Sequence, residues 1–355
     1  MTATALYQRL ASTTAQLGPY AGVETALSFS GPSSELRTLY AGAGIFDLGW
    51  RGKIIVTGQD RERWLNGMLT NNVRDLPVNH GNYNFLLNSQ GRILGDMYVY
   101  NRGEYLLLDT DQAQVASIMK TLGHFIIMDD VELSDASETL TALGICGLTA
   151  SLVVGTAGIE IAGLQPLEVR DQTIGEIGIT VVRGPEQKPD WYEIWMSNSN
   201  AATIWELLTK AGGQPVGADA LEVWRILHGI PRYGQDIRER DLPQETEQNQ
   251  ALNFTKGCYI GQEIVERIRS RGQVHRRFTG FEFENEPPGP GKIEDNGRVV
   301  AEITSVAKIH PKSDAPEKGI ALGYVRRDSG LPGSAIQLNE KSGRIANLPF
   351  EFGIS

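Results

Sequence analysis

The chain has two cysteines in 355 residues, Cys146 and Cys258, and no C-x-x-C pair. That excludes a disulfide framework. It also excludes an iron–sulfur cluster held by this chain's thiols alone, since such clusters take about four ligands. A cluster bridged through Cys258 to a second protein stays open. Histidine is scarce too: His80, His124, His228, His275 and His310 are scattered, and none shares ligand spacing with a cysteine. No metal site is expected. Basic charge is in deficit, with 33 Lys+Arg against 43 Asp+Glu and a net charge of −10. This argues against a general nucleic-acid binder held by phosphate contacts. No apolar run approaches the roughly 18–20 residues a membrane helix needs. The first twenty residues lack a basic segment followed by an apolar one, so no signal peptide is expected. Together these features lead to an expected cytoplasmic, reducing location. No G-x-G-x-x-G stands between a strand and a helix, and no internal repeat is present.

What the chain does hold centres on Phe254-Thr255-Lys256-Gly257-Cys258-Tyr259-Ile260-Gly261-Gln262-Glu263. Glycines on both sides place Cys258 on a turn. A cation such as Lys256, or a helix N-terminus, lowers a thiol's pKa and favours the reactive thiolate. The competing reading is a small buried residue at a turn. From Gln262 the apolar residues Ile264, Val265 and Ile268 fall on one helical face, which sets Cys258 at the mouth of a helix. Between 256 and 277 six basic residues (Lys256, Arg267, Arg269, Arg271, Arg276, Arg277) face only Glu263 and Glu266. Such a run is either a solvated helix face or a site for an anion: a polyglutamate tail, a phosphate or an acidic partner. Cys146 lies among apolar residues and reads as structural.

At this length, with 41% hydrophobic and 21% charged residues, two or three globular domains are expected. Short helices are expected over 4–17 and 33–42, then a strand–turn–strand over 44–58. A helix over 60–69 has Asp60 as N-cap. A β-meander covers 83–87, 92–100 and 105–109. It is followed by a helix over 111–122, strand-like runs at 125–128 and 131–133, and a buried strand at 140–148. A βαβ-like portion is expected over 167–210 and a helix over 219–228. Beyond 277 short β-runs at 278–282, 298–306, 319–325 and 334–338, split by Gly/Pro turns, indicate a small antiparallel barrel or sandwich. The boundary is set near Val274, giving a region 1–274 of two interleaved subdomains and a region 275–355.

Two carboxylates stand out. Strand alternation puts Asp96 on one face with Leu94, Tyr98 and Tyr100. It puts Glu193 on one face with Trp191 and Trp195. A carboxylate among aromatic rings is costly to bury without a partner. It is either solvated or capped, or it accepts the N–H groups of a flat heterocycle.

The segment 256–263 resembles the signature of the YgfZ family, approximately K-G-C-Y-x-G-Q-E, at every fixed position. Its approach also fits: Arg225, Gly229-Ile230-Pro231, Gly234, Asp236-Ile237 and Leu242-Pro243-Gln244-Glu245. The family consists of folate-binding relatives of the glycine-cleavage T protein that support iron–sulfur proteins. Earlier segments are similar to the T-protein superfamily. In 44–52 Trp50 replaces the histidine of the aminomethyltransferases. Asp96 keeps the second of two aspartates, and Gly95 stands at the first. Tyr83 and Glu193 match folate-contacting positions, but Arg183 to Lys188 replace the R-T-G-Y-T-G run. Arg225 matches the arginine of R-L-E-A-G, while Leu227 takes the glutamate's place. A helix-surface charge is the alternative for Arg225.

The resemblance implies an α+β, T-protein-like fold: two α/β domains around a central channel, plus a C-terminal antiparallel β-barrel. It implies tetrahydrofolate, or a folate derivative, as cofactor. The implied contacts are Tyr83, Asp96, Glu193, Arg225 and Tyr233. Lys256, Gly257, Cys258, Tyr259, Gly261, Gln262 and Glu263 form the motif, with Cys258 as functional thiol. The expected function is assembly or maintenance of iron–sulfur clusters, with apoproteins or assembly proteins as partners. The alternative is a tetrahydrofolate-dependent aminomethyltransferase in which Asp96 assists charge development. An older "tRNA-modifying" label of the family adds tRNA as a possible partner.

Overall fold

A computed structural model of the chain describes residues 2–185, 188–272, 274–295, 298–311, 316–338 and 341–354. Glu186 and Gln187, in the run that stands for R-T-G-Y-T-G, lie outside the described residues, as do Gln273 and the side chain of Arg271. The fold is α+β and splits into two compact units, Met1–Asn84 with Met97–Leu221, and Phe85–Asp96 with Glu222–Ser355.

The first unit is built on two larger sheets. One runs Val169–Ile174, Ile177–Arg183, Trp191–Ser197, Leu140–Cys146, Gly44–Asp47, Gln214–Pro215, antiparallel except for its last pair. The other runs Gly81–Leu87, Ile93–Asn101, Leu106–Asp111, Arg51–Thr57, Glu132–Asp135, and its first two strands carry the chain out of this unit and back. Leu143, Ile145, Tyr192 and Ile194 pack with Val181, Ile204, Trp205 and Leu208 in an apolar cluster. Each such side chain withdrawn from water contributes about 1.5–3 kcal/mol. Tyr192 and Ile194 therefore pin one face of Trp191–Ser197, and Glu193 is left on the other. Buried Cys146 approaches the Leu39 carbonyl at 3.8 Å, and burial pushes its thiol pKa upward. It is structural, as expected.

The second unit carries a curled six-stranded antiparallel sheet in the order Gly291–Asp295, Arg298–Ile309, Lys318–Arg326, Arg276–Phe283, Lys341–Ala346, Ala335–Leu338. Register shifts at Ile293/Glu294 and Ile303/Ser305 bend it. Phe281, Ile303, Val325 and Ile345 pack together in its apolar core. This is the barrel-like sheet expected from the β-runs, with two strands, Gly291–Asp295 and Lys341–Ala346, added.

Several expectations change. The helix over 4–17 shrinks to Tyr7–Ala11, because Gln16–Tyr20 pairs with Val23–Ser28 as a hairpin. Ala21 and Gly22 both have positive φ, 50° and 91°, which a two-residue turn of this hand requires. The run 125–128 is no strand: Ile127 and Met128 are 83% and 95% exposed and pair with nothing among the described strands. The βαβ portion is three antiparallel strands followed by the helix Ala201–Lys210. Asp60 does stand at the N-cap of Arg61–Met68, but its carboxylate accepts the Asp130 N–H at 3.0 Å instead of capping.

Candidate functional site

In the first unit the aromatic and charged residues of the two sheets meet. Glu193 is half-buried, and both indoles beside it donate to it: Trp191 Nε1 to Oε1 at 3.3 Å and Trp195 Nε1 to Oε2 at 2.9 Å. Its direct cross-strand neighbours are Gly144 and Val182, which carry no charge. Gly144 is required there, since a Cβ would meet the Phe46 ring at 1.8 Å, and Phe46 packs on Trp191. From Trp195 the rings continue to Tyr100, Tyr98 and Tyr83, with centroid spacings of 5.0, 6.4 and 5.0 Å. The alternation read from the sequence thus placed Glu193, Tyr98 and Tyr100 correctly. Tyr83 joins them from the neighbouring strand.

Beneath the rings lies a charge cluster that the sequence reading missed. Arg51 and Lys53 are direct register partners of Asp111 and Asp109. Lys53 Nζ meets Asp109 Oδ1 at 2.7 Å and lies 5.3 Å from the Trp195 ring centroid. Arg51 pairs with Asp109 at 3.1 Å and with Asp111 at 2.6 Å. The available signal was an alternating basic pair on one apolar strand and an alternating acidic pair on another. Burial pushes Asp109 up, but Arg51 and Lys53 outweigh it and hold the carboxylate below its ordinary range. Glu193 goes the other way: burial, then the negative charge of Asp109, raises it, and Lys53, Trp195 and Arg51 only partly compensate.

In the second unit Asp96 and Tyr233 are neighbours. Both are half-buried, and the Tyr233 hydroxyl is 3.5 Å from the Ile93 carbonyl. Burial, Glu239 and Asp96 push Tyr233 up to about 12. Arg225 is buried, which removes its reading as a surface charge. All five of its N–H groups are engaged, by Glu222, Asp236, Ser305 and the Ile230 carbonyl. It has no donor left for a ligand and acts as a brace.

The motif loop shows alternate anchoring and exposure. Lys256 and Tyr259 are buried with the ammonium 5.2 Å from the ring centroid, while Gly257 and Cys258 are exposed. Asn253 Oδ1 accepts the Thr255 and Lys256 N–H groups at 2.9 Å and holds the turn. Gly261 has φ +82°, and a Cβ there would meet the Asn88 carbonyl at 2.6 Å. Gly91, with φ +70°, faces it and packs on Ile264 of the helix Gln262–Arg271. Glu263 is exposed on that helix and Gln262 half-buried. Cys258 is therefore presented, not buried. Lys256 is a weak source of positive field for it, because burial lowers the ammonium pKa to about 7.

Among the described side chains the basic run is divided between separate partners. Arg276 is tied to Asp241, Glu245 and Glu302, and Arg277 donates to the Gly330 carbonyl. Arg269 lies over the Phe254 ring and pairs with Glu266. Among the described residues no group of three or more His, Cys, Asp or Glu side chains could hold a metal ion. No described helix is long and apolar enough to cross a membrane.

Comparison with known proteins agrees with this architecture. Residues 6–256 match the model of the GCVT N-terminal domain. An aminomethyltransferase of Rubrobacter xylanophilus is 28% identical over 358 residues, covering 98% of this chain and 93% of that one. One from Caldanaerobacter subterraneus subsp. tengcongensis is 28% identical over 287 residues, covering 79% and 76%. Among solved structures, the glycine cleavage system aminomethyltransferase T from Bartonella henselae superposes with a TM-score of 0.87 at 20% identity, covering 98% of both chains. At that identity the likeness shows the fold. These relatives carry the aminomethyltransferase name, which agrees with the superfamily expectation and with the one-carbon alternative rather than with the narrower motif family.

Proposed function

The chain belongs to the GCVT N-terminal domain family, and from that premise we propose that it binds tetrahydrofolate and carries out one-carbon transfer of the aminomethyltransferase type. The observation that carries the folate assignment is Glu193. A carboxylate has about four lone-pair positions, and the two indole N–H groups occupy two of them. The others fit the adjacent N–H donors of a pterin-like heterocycle, with Tyr83, Tyr98 and Tyr100 as flat apolar neighbours. Tetrahydrofolate supplies the nitrogen that gains or loses the one-carbon unit. Glu193 binds and orients the heterocycle. By resemblance to the superfamily's aspartate pair, Asp96 is assigned the stabilisation of positive charge that develops during transfer, and Tyr233 stands beside it in the same unit. The relatives named as aminomethyltransferases favour this reading.

A second reading is carried by one observation, the exposure of Cys258 on a motif that matches K-G-C-Y-x-G-Q-E. In it the chain is a folate-binding factor for iron–sulfur apoproteins or their assembly proteins, with Cys258 as nucleophile or transient ligand. The basic run gives no support to a tRNA contact: among its described side chains Lys256 is buried and Arg269, Arg276 and Arg277 are engaged within the chain.

Tetrahydrofolate titration of wild type, Glu193→Gln, Asp96→Asn and Cys258→Ala, with aminomethyl transfer assayed in parallel, separates these readings. Transfer that is lost in Asp96→Asn and kept in Cys258→Ala supports the enzyme. Binding without transfer, weakened by Glu193→Gln and unchanged by Cys258→Ala, supports the second reading. Absence of folate binding overturns both.

A further inference from the structure

The Lys53–Asp109 pair is poorly explained by stability alone. Lys53 is fully buried and Asp109 is 2% exposed. Replacing such a pair by apolar residues is often neutral or stabilising, because desolvating two charges offsets their attraction. Its position indicates a different use. The ammonium faces the ring of Trp195 at 5.3 Å, and that same indole donates to Glu193 at 2.9 Å. A cation on the π-face fixes the ring, and the ring aims the carboxylate.

Among the described residues, the charged and titratable groups that act on Glu193 include Asp109 from one strand, Arg51 and Lys53 from the next, and the Tyr100 hydroxyl from a third. On its own strand the Trp191 and Trp195 indoles donate to it. We propose that Lys53 and Asp109, joined at 2.7 Å beneath Trp195, are positioning residues that set the aim and the ionisation of Glu193. The proposal rests on the reading that Glu193 receives the heterocycle of folate, which needs it ionised. Lys53 favours the ionised form and Asp109 opposes it, so the two have opposite signs at Glu193 while sharing one ion pair. Arg51 keeps Asp109 paired when Lys53 is replaced.

Two pH-dependent readouts are measured on the full chain between pH 4.5 and 8.5: tetrahydrofolate binding, and the indole N–H resonance of Trp195 without ligand. Lys53→Met should move both midpoints up, and Asp109→Asn should move both down, each by about one pH unit. Lys53→Arg should restore the wild-type midpoint, and Glu193→Gln should abolish the titration. A purely structural role would shift both variants in one direction or neither, and that result overturns the proposal. If Lys53→Met does not fold, a downward shift in Asp109→Asn supports the proposal, and an unmoved or raised midpoint overturns it. Should wild type bind no folate, the indole readout still decides: opposite shifts keep the electrostatic coupling and remove the folate role.

Discussion

Both units bury arginine–carboxylate networks, and they end differently. In the second unit Asp236 is fully buried and accepts Arg225 at 2.8 Å, the Arg232 N–H at 3.0 Å, Ser305 at 2.7 Å and Thr304. Arg225 spends every donor in return. In the first unit Arg51 and Lys53 satisfy Asp109 and Asp111, but among the described residues the hydrogen-bond donors to Glu193 beside them are the two indole N–H groups. A closed network braces the fold. A network that leaves one half-accessible carboxylate with spare acceptor capacity has room for a ligand.

The largest effect should come from opening the closed network. Asp236→Ala takes one of the two carboxylates from Arg225 and leaves the Arg232 N–H, Thr304 and Ser305 without their buried acceptor. It is expected to cost about 3–5 kcal/mol in thermal or denaturant unfolding, leaving the Glu193 titration unmoved. A loss below about 1 kcal/mol would end the distinction between brace and site. In the open network Glu193→Gln should weaken tetrahydrofolate by roughly 10–100-fold. Its unfolding midpoint should hold or rise, because partial burial and the nearby Asp109 charge already disfavour the ionised form of Glu193.

Smaller effects test the motif loop. Gly261→Ala puts a Cβ against the Asn88 carbonyl at positive φ and should cost about 1–3 kcal/mol. Lys256 has a folded-state pKa of about 7, well below the ordinary lysine value. Between these two values the unfolded chain binds a proton that the folded chain does not, so stability from this group rises with pH. Its burial cost is complete below pH 7. Lys256→Met is therefore expected to raise the unfolding temperature by roughly 2–4 °C at or below pH 7, with the gain fading toward pH 10. A gain that grows with pH would contradict the buried ammonium.

Much of the candidate site was legible along the chain. Period-two alternation put Glu193 with Trp191 and Trp195, and Tyr98 with Tyr100. The glycines around Cys258 signalled a turn before a helix. The alternating charges on the two strands were visible, but that Lys53 pairs with Asp109 was not, since the two are 56 positions apart and meet only through strand register. The burial of Arg225 was equally hidden, because a helix pattern does not say which face a neighbouring strand will cover. The expected helix over 4–17 failed for a local reason: the Ala21-Gly22 turn outweighed weak helical patterning.

Local chemistry, written in residue order, was sufficient for the strands, the turns and the face on which each carboxylate stands. Backbone geometry converts alternation directly into sidedness. Which charges pair, which are saturated and which stay short of a partner depended on packing. A buried ion feels every group within several ångströms regardless of its place in the chain, so Lys53, Asp109 and Glu193 became one electrostatic unit only when two sheets closed over them.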